Sequence, residues 1–241
     1  MKNDNLGDFL TDIADAIREK KGTTEAINAQ NFSEEIRGIE SSGGNPWNAD
    51  VEWAEEGTFG LSKGVKSLVI HEGVTKISDY AFRYNYGLES ITLPQSLRTI
   101  GMYSFSGMDT LSAIELPHSI TSIGNYAFNG TPFVCMTIPP LISRINYGLF
   151  TVCKKLKSVE ILSNLSSVAG TVFKNCSALE YVIFKGSINI PSLDNTDAFS
   201  GTTCLIYVPD ALYDQWIAAT NWSAYADRIV KASEFVEPTT E

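Results

Sequence analysis

The stretch TSIGNYAF at residues 121–128 reads nearly the same as RTIGMYSF at 98–105 and TKISDYAF at 75–82. A catalytic site is a single arrangement of groups and has no reason to be copied at a constant interval of 23 positions; a structural unit does. Extended outward, the frame gives VKSLVIHEGVTKISDYAFRYNYG from residue 65, LESITLPQSLRTIGMYSFSGMDT from 88 and LSAIELPHSITSIGNYAFNGTPF from 111. Looser copies start at 134, 156 and 179, and a half copy, CLIYVP, starts at 204. An interval in the low twenties predicts a solenoid, in which each unit buries its apolar face only against its neighbours.

Within one copy, Ile114-Glu115-Leu116 alternates apolar, polar, apolar, the period of a strand with one buried face. The same pairing recurs in Leu68/Ile70, Ile91/Leu93, Met136/Ile138, Val159/Ile161, Val182/Phe184 and Ile206/Val208. It predicts seven stacked parallel strands, a ladder roughly 30 Å long at about 4.8 Å per strand. Pro94, Pro117, Pro139 and Pro209 have no N–H to donate and end their strands. A second apolar position, Ile77, Ile100 and Ile123, precedes the aromatic of each copy, and Phe82, Phe105, Phe128, Phe150, Phe173 and Phe199 keep register. They predict a phenylalanine column along the axis, each ring contributing about 1.5–3 kcal/mol by burial. Cys153 and Cys176 are also one interval apart, in FTVCKKL and FKNCSAL, and read as small side chains filling one slot on successive turns. Stacked thiols offer a disulfide, but spacing alone does not fix the geometry it needs.

The succession of I-x-L-P, I-x-x-I and A-F followed by Gly or Cys resembles the BspA-like leucine-rich repeat of bacterial surface proteins, over roughly residues 61–210. The resemblance implies adhesion and protein binding in general and carries no shared catalytic residues. The fold class expected is a leucine-rich-repeat-like solenoid, a parallel β-ladder of about 23-residue units flanked by short α-helices at both ends.

Bulk composition narrows the function classes. With 28 acidic against 18 basic side chains and a net charge of -10, the chain lacks the clustered Lys and Arg that track phosphates, so nucleic acid is not an expected partner. There is no run of about 18 apolar residues for a membrane span. The first twenty residues, MKNDNLGDFLTDIADAIREK, have no unbroken apolar core and do not read as a secretory signal. The expected location is therefore cytoplasmic, with extracellular display by another route.

Before the repeats, residues 8–20 place Phe9, Ile13, Ala16 and Ile17 on one helical stripe, and NAQNFSEEIRGI does the same with Phe32, Ile36 and Ile39. One stripe per helix cannot make a core alone, so these helices pair with each other, with the solenoid or with another chain. The segment TDIADAIREKKGTTEAINAQNFSEEIRGI resembles segments of prophage and phage tail-associated proteins of gut Firmicutes. That resemblance implies a homo-oligomer or a virion partner through residues 1–40, with the repeats facing outward, and so a virion-associated location beside the cytoplasmic one. The expected organisation is a helical attachment or oligomerisation segment over 1–40 and a linker and N-terminal cap with Trp47 and Trp53 over 41–60. The solenoid follows over 61–209, and a helical C-terminal cap and tail over 210–241. In that cap Asp210 is expected to start the first helix, Leu212, Trp216 and Ile217 to face inward, and Asn221 or Ser223 to start a second helix, with Trp216 and Trp222 as core.

Chemistry finds little to hold. His71 and His118 sit two turns apart, and GxSxG, HExxH and phosphate-loop motifs are absent. Four cysteines, Cys135, Cys153, Cys176 and Cys204, form no CxxC pair. SLDNTD at 192–197 reads as a polar turn, its spacing not that of an EF-hand. No metal, cofactor or catalytic residue is predicted, and the chain is read as a non-enzyme. A binding surface is easier to place. Outward strand positions form columns, and the candidate residues are Val69, Thr92, Glu115, Thr137, Glu160, Tyr181, Ile183, Leu205 and Tyr207. The last four form an apolar group that either a partner or the C-terminal helices cover, the helices being favoured because they start right after Pro209. The function expected is binding of a protein or cell-surface glycan, with a structural spacer held only by its N-terminal helices as the alternative.

Overall fold

The computed structural model describes residues 66–70 and 72–237. The N-terminal helices expected over 1–40, the linker and cap over 41–60 with its two tryptophans, and His71 lie outside the described residues.

Each turn of the chain has three sides. The first carries the strands β1 (Ser67–Val69), β3 (Ser90–Thr92), β6 (Cys135–Ile138), β8 (Ser158–Ile161), β10 (Tyr181–Phe184), β12 (Leu205–Val208) and β13 (Ile229–Lys231). All pairs are parallel and in the register the repeat demands: Leu68 opposite Ile91, Met136 opposite Val159, Val159 opposite Val182, Val182 opposite Ile206. Like side chains therefore stack on like, and Met136, Val159, Val182 and Ile206 are buried. The ladder differs from the expected seven strands in two ways. It is cut into a pair, β1-β3, and a run of five, β6-β8-β10-β12-β13, because residues 111–117 form no strand. And β13, in a stretch whose composition reads as the end of a helix, adds a strand beyond β12. Pro94, Pro139 and Pro209 follow strands as predicted, whereas Pro117 has no strand to end; all four carbonyls accept from the N–H three residues on, at 2.9–3.3 Å, which turns the chain.

The second side holds two-residue strands: β2 (Lys76–Ile77), β4 (Thr99–Ile100), β5 (Ser122–Ile123), β7 (Arg144–Ile145), β9 (Ser167–Val168) and β11 (Ser192–Leu193). They form two three-stranded ladders, β2-β4-β5 and β7-β9-β11. Between β5 and β7 a side chain takes over, Asn146 Nδ2 donating to Ile123 O at 2.6 Å.

The third side is a run of overlapping β-turns. The N–H groups of Tyr80, Phe82 and Tyr84 donate to the carbonyls of Met102, Ser104 and Ser106 on the next turn, at 2.8, 2.7 and 2.9 Å. The alternate N–H groups close turns within the same coil, Arg83 to Tyr80 at 3.0 Å and Asn85 to Phe82 at 3.1 Å. This pattern continues to Asn175, whose N–H reaches Ser200 O. Such turns need a left-handed residue at regular places, and Tyr80, Tyr103 and Tyr126 supply it with φ of 63°, 53° and 56°.

Inside, the phenylalanine column is continuous. Successive rings from Phe82 to Phe199 stack at centroid distances of 5.2, 5.7, 5.8, 5.7 and 5.1 Å. Three residues after each lies a second column: Asn85, Met108, Thr131, Cys153, Cys176 and Thr202. Its sulfur atoms are more than apolar filler. Cys153 Sγ lies 3.1 Å from Phe128 O and Cys176 Sγ 2.9 Å from Phe150 O, so each thiol donates to the carbonyl of the preceding turn. All four cysteines are free thiols. The Cys176 thiol is pushed well up by its contact with Cys153 and by burial, which keeps its proton on as a donor.

At the C-terminal end the column meets a cap. Trp222 and Tyr225 lie 6.0 and 5.2 Å from Phe199, while Trp216 and Trp222 pack on Phe184 at 5.0 and 5.7 Å. Both tryptophans are fully buried, as expected of cap core. Trp216 is carried by α1 (Tyr213–Ala218), and Trp222 by a 3₁₀ turn, Trp222–Tyr225, in place of the expected second helix. Asp210 begins a 3₁₀ turn, Asp210–Leu212, that leads into α1, and Asn221 holds the N-cap position of Trp222–Tyr225, but neither side chain makes a capping bond. Asp210 accepts from Ser233 N at 3.0 Å, and Asn221 donates to Leu193 O at 2.6 Å, so both tie the cap to other segments instead.

Candidate recognition surface

The outward columns of the first side are built as the alternation demands. Val69, Thr92, Glu115, Thr137 and Leu205 are exposed, with Val69 54% and Leu205 40% accessible. Glu160 is half-buried and paired with Lys185 at 2.8 Å, a surface ion pair whose net contribution is about 0–1 kcal/mol. Ile183 departs from the expectation: at 4% accessible it is buried and presents nothing to a partner. Its in-register neighbours are Glu160 and Tyr207, and on a parallel ladder strands sit only about 4.8 Å apart, so flanking long side chains shelter it.

Tyr181 and Tyr207 are half-buried, and their cover comes from a place the sequence does not announce. Phe235, beyond the helical part of the cap, lies 4.9 Å from Tyr181 and 5.0 Å from Tyr207, and the two tyrosines meet edge-on at 6.1 Å. The aromatic group is thus partly closed by the C-terminal segment rather than by α1.

A second aromatic surface was not among the expected binding residues. Tyr80, Tyr103 and Tyr126 stack in near-parallel planes at 5.4 and 4.8 Å, and Tyr147 meets Tyr126 edge-on at 5.6 Å. Arg83 adds cation–π contacts, its guanidinium 4.6 Å from the Tyr84 ring and 4.9 Å from the Tyr103 ring. The signal was present in the sequence, a tyrosine two residues before the phenylalanine in three successive copies. Gly148, at φ 64°, keeps room for the ladder, since an added Cβ there runs into the Tyr126 ring. Because the rings face one another, the ladder offers edges and hydroxyls rather than free faces on which a sugar stacks. Its chief role is structural: each left-handed tyrosine is strained by about 1–2 kcal/mol, and each ring pair returns about 0.5–1.5 kcal/mol. Tyr103→Ala keeps the strain and loses two stacks, so urea unfolding is expected at lower concentration than for wild type. Tyr103→Gly loses the same stacks but relieves the strain, and its midpoint is expected above that of the alanine variant.

Among the described residues, no group of three or more His, Cys, Asp or Glu side chains is placed to hold a metal ion. In the 192–197 loop, Asp194 pairs with Arg144 at 2.8 Å and Asp197 N donates to Asn195 Oδ1, the arrangement of a polar turn. Glu72 is held below the usual carboxylate range by the N–H of Gln95, with that of Ser96 adding to it, and so staples one turn to the next. No described helix is long and apolar enough to cross a membrane.

Against known protein families, the model described as BspA type leucine rich repeat region matches six copies over residues 75–205, more than half of the chain. The chain belongs to the BspA-type leucine-rich repeat family. Solved structures are similar to it over part of its length. The pneumococcal vaccine antigen PcpA is 18% identical with a TM-score of 0.50, covering 69% of this chain and 40% of its own. A leucine-rich repeat protein from Bacteroides ovatus is 31% identical with a TM-score of 0.47, over 62% of this chain and 44% of that one. One from Eubacterium ventriosum is 23% identical with a TM-score of 0.46, over 64% and 45%. This BspA-type chain thus spans less than half the length of each of these three. No curated protein sequence matches it.

Proposed function

We propose that this BspA-type solenoid is a non-enzymatic recognition module whose first side binds a protein or glycan partner at a bacterial or virion surface. One observation carries the reading. Apart from Ile183, which is buried, and Glu160, Tyr181 and Tyr207, which are half-buried, the first side sends alternate residues into the core and leaves outward residues such as Val69, Thr92, Thr137 and Leu205 exposed in rows. Rows on a stiff ladder lose little conformational freedom on binding, which is the condition for a pre-organised interface. The family supports binding as the general role, and the described residues hold no metal-binding group of His, Cys, Asp or Glu.

The test is a solution comparison of the full chain with a Thr137→Arg/Leu205→Arg variant, on a glycan array and on intact bacterial cells. Both positions are exposed, so thermal unfolding is expected to be unchanged. Binding by the wild type and a drop of about tenfold or more in the variant support the reading. Wild-type binding that the variant leaves intact, or no binding to either probe, rejects it.

A further inference from the structure

The cut in the first-side ladder has a partner chemistry written into it. In a parallel ladder alternate residues aim their N–H and C=O groups to opposite sides. Ser90 N donates to Lys66 O at 3.0 Å and Thr92 O accepts from Ile70 N at 2.9 Å, so these two residues face β1. Ile91 therefore directs its backbone groups toward the third turn. There it finds no ladder: residues 112–116 make no backbone hydrogen bond to either neighbouring turn among the described residues. Two strand-like edges thus face each other unpaired. Between residues 89–95 and 112–118 lies a cleft of about 660 Å³, inside the range of about 300–1,000 Å³ typical of ligand sites.

Its depth is visible in burial. Leu116 is only half-buried, whereas Ile138 and Ile161 at the same position of later turns are fully buried. The second side does not share the opening, because β4 and β5 remain paired, Thr99 opposite Ser122 and Ile100 opposite Ile123. The cleft is consequently a slot on one side of an otherwise closed coil.

We infer that this slot takes an extended peptide strand carrying a basic side chain, which completes the ladder between β3 and residues 112–116 by main-chain hydrogen bonds. Three features select that occupant. Free backbone edges recognise another backbone, the mode of β-strand addition. Outward side chains at the slot, Ser90, Thr92, Ser112 and Ala113, are short and let a main chain approach. The lining contains Glu89 and Glu115 but no Lys or Arg. Glu89 is answered by Lys66 at 2.7 Å, while Glu115 has no ion pair among the described residues, so a Lys or Arg of the guest has a carboxylate waiting. The lining also holds no Phe, Tyr or Trp, its one ring side chain being His118, so a glycan lacks the broad stacking platform it ordinarily uses. The inference rests on the binding-module reading and names its site and partner class.

The probe is a fluorescein-labelled, end-capped heptapeptide alternating Val and Thr with Lys, titrated against the full chain. The control is the same peptide N-methylated at alternate residues. Saturable binding is expected, weakened about tenfold or more by N-methylation and by Ala113→Arg, which fills the slot and opposes a basic guest. Thermal unfolding of that variant is expected to match wild type, because Ala113 is exposed. Hydrogen exchange supplies the second readout. In the free chain the amides of Ala113 and Glu115 are expected to exchange at least about 100-fold faster than that of Val159, and to slow when the peptide binds.

No saturation by about 1 mM peptide overturns the inference, as does equal affinity for the N-methylated control. Slow exchange at residues 113 and 115 in the free chain also overturns it, because the ladder is then already closed. Protection of these residues by laminarihexaose, rather than by the peptide, reassigns the slot to a glycan. If the slot fails while Thr137→Arg/Leu205→Arg still abolishes cell binding, only the peptide inference falls.

Discussion

Phe150→Ala is expected to lower the free energy of unfolding by about 3–5 kcal/mol, the usual cost of emptying a buried aromatic site. The ring stacks on Phe128 at 5.8 Å on one side and on Phe173 at 5.7 Å on the other, and is fully buried. Neighbouring turns cannot collapse into the void, because the backbone bonds Phe150 N to Val172 O and Val152 N to Lys174 O hold the spacing. In a solenoid each unit is stabilised by its two interfaces, so a central ring contributes to both. Chemical denaturation with an unchanged m-value checks this, since the exposed surface on unfolding stays the same. A loss below about 1 kcal/mol would show that the column is not the axis of stability.

Trp222→Ala is expected to cost a similar 3–5 kcal/mol, but by a different route. The indole touches Phe184, Phe199 and Trp216 at once, and its Nε1–H donates to Pro191 O at 2.7 Å. Its loss leaves a cavity and an unpaired buried carbonyl together. Because Trp222 closes the open end of the stack, the damage is expected to start there. Amides of β12 and β10 should lose protection first in hydrogen exchange, while those of β3 keep theirs. A uniform loss of protection along the chain would mean that the cap and the first turns unfold as one cooperative unit.

Much of this was legible in the residues. Phe82 to Phe199 announce their column by register alone, and the alternation around Met136 assigns inward and outward faces correctly. Periodicity, however, reports side chains and not main-chain bonding. Ile114-Glu115-Leu116 has the same letters as a paired strand, yet residues 112–116 bond to neither neighbouring turn among the described residues. Two local departures accompany the cut. Phe133, packed edge-on to Phe128 at 5.6 Å, takes the slot held by Leu111 and Leu156 in the flanking turns, and the copy from 134 runs to 22 residues. The candidate surface failed at Ile183 for a related reason, since its shelter depends on neighbours in the stack that no single copy reveals. Phe235 reaches Tyr207 across 28 residues of chain, from 207 to 235, a contact that pattern reading has no means to find. The strand β13 hid in YADRIV, where a β-branched pair, Ile229 and Val230, follows helix-like composition.

The cut also sets how the stack answers a pull. Along most of its length, adjacent turns are tied by rows of bonds on all three sides, and a tension applied to the ends is shared among them. Between the third and fourth turns the first-side row is missing among the described residues, and the second side and its exit are held by two side-chain bonds, Asn146 Nδ2 donating to Ile123 O and Tyr147 N donating to Asn125 Oδ1. The remaining backbone ties are Tyr126 to Tyr147, Phe128 to Leu149 and Gly130 to Thr151. Load concentrates on that junction, so a tether under tension parts there first and lengthens by two stiff segments swinging open, each keeping its own share of the phenylalanine column.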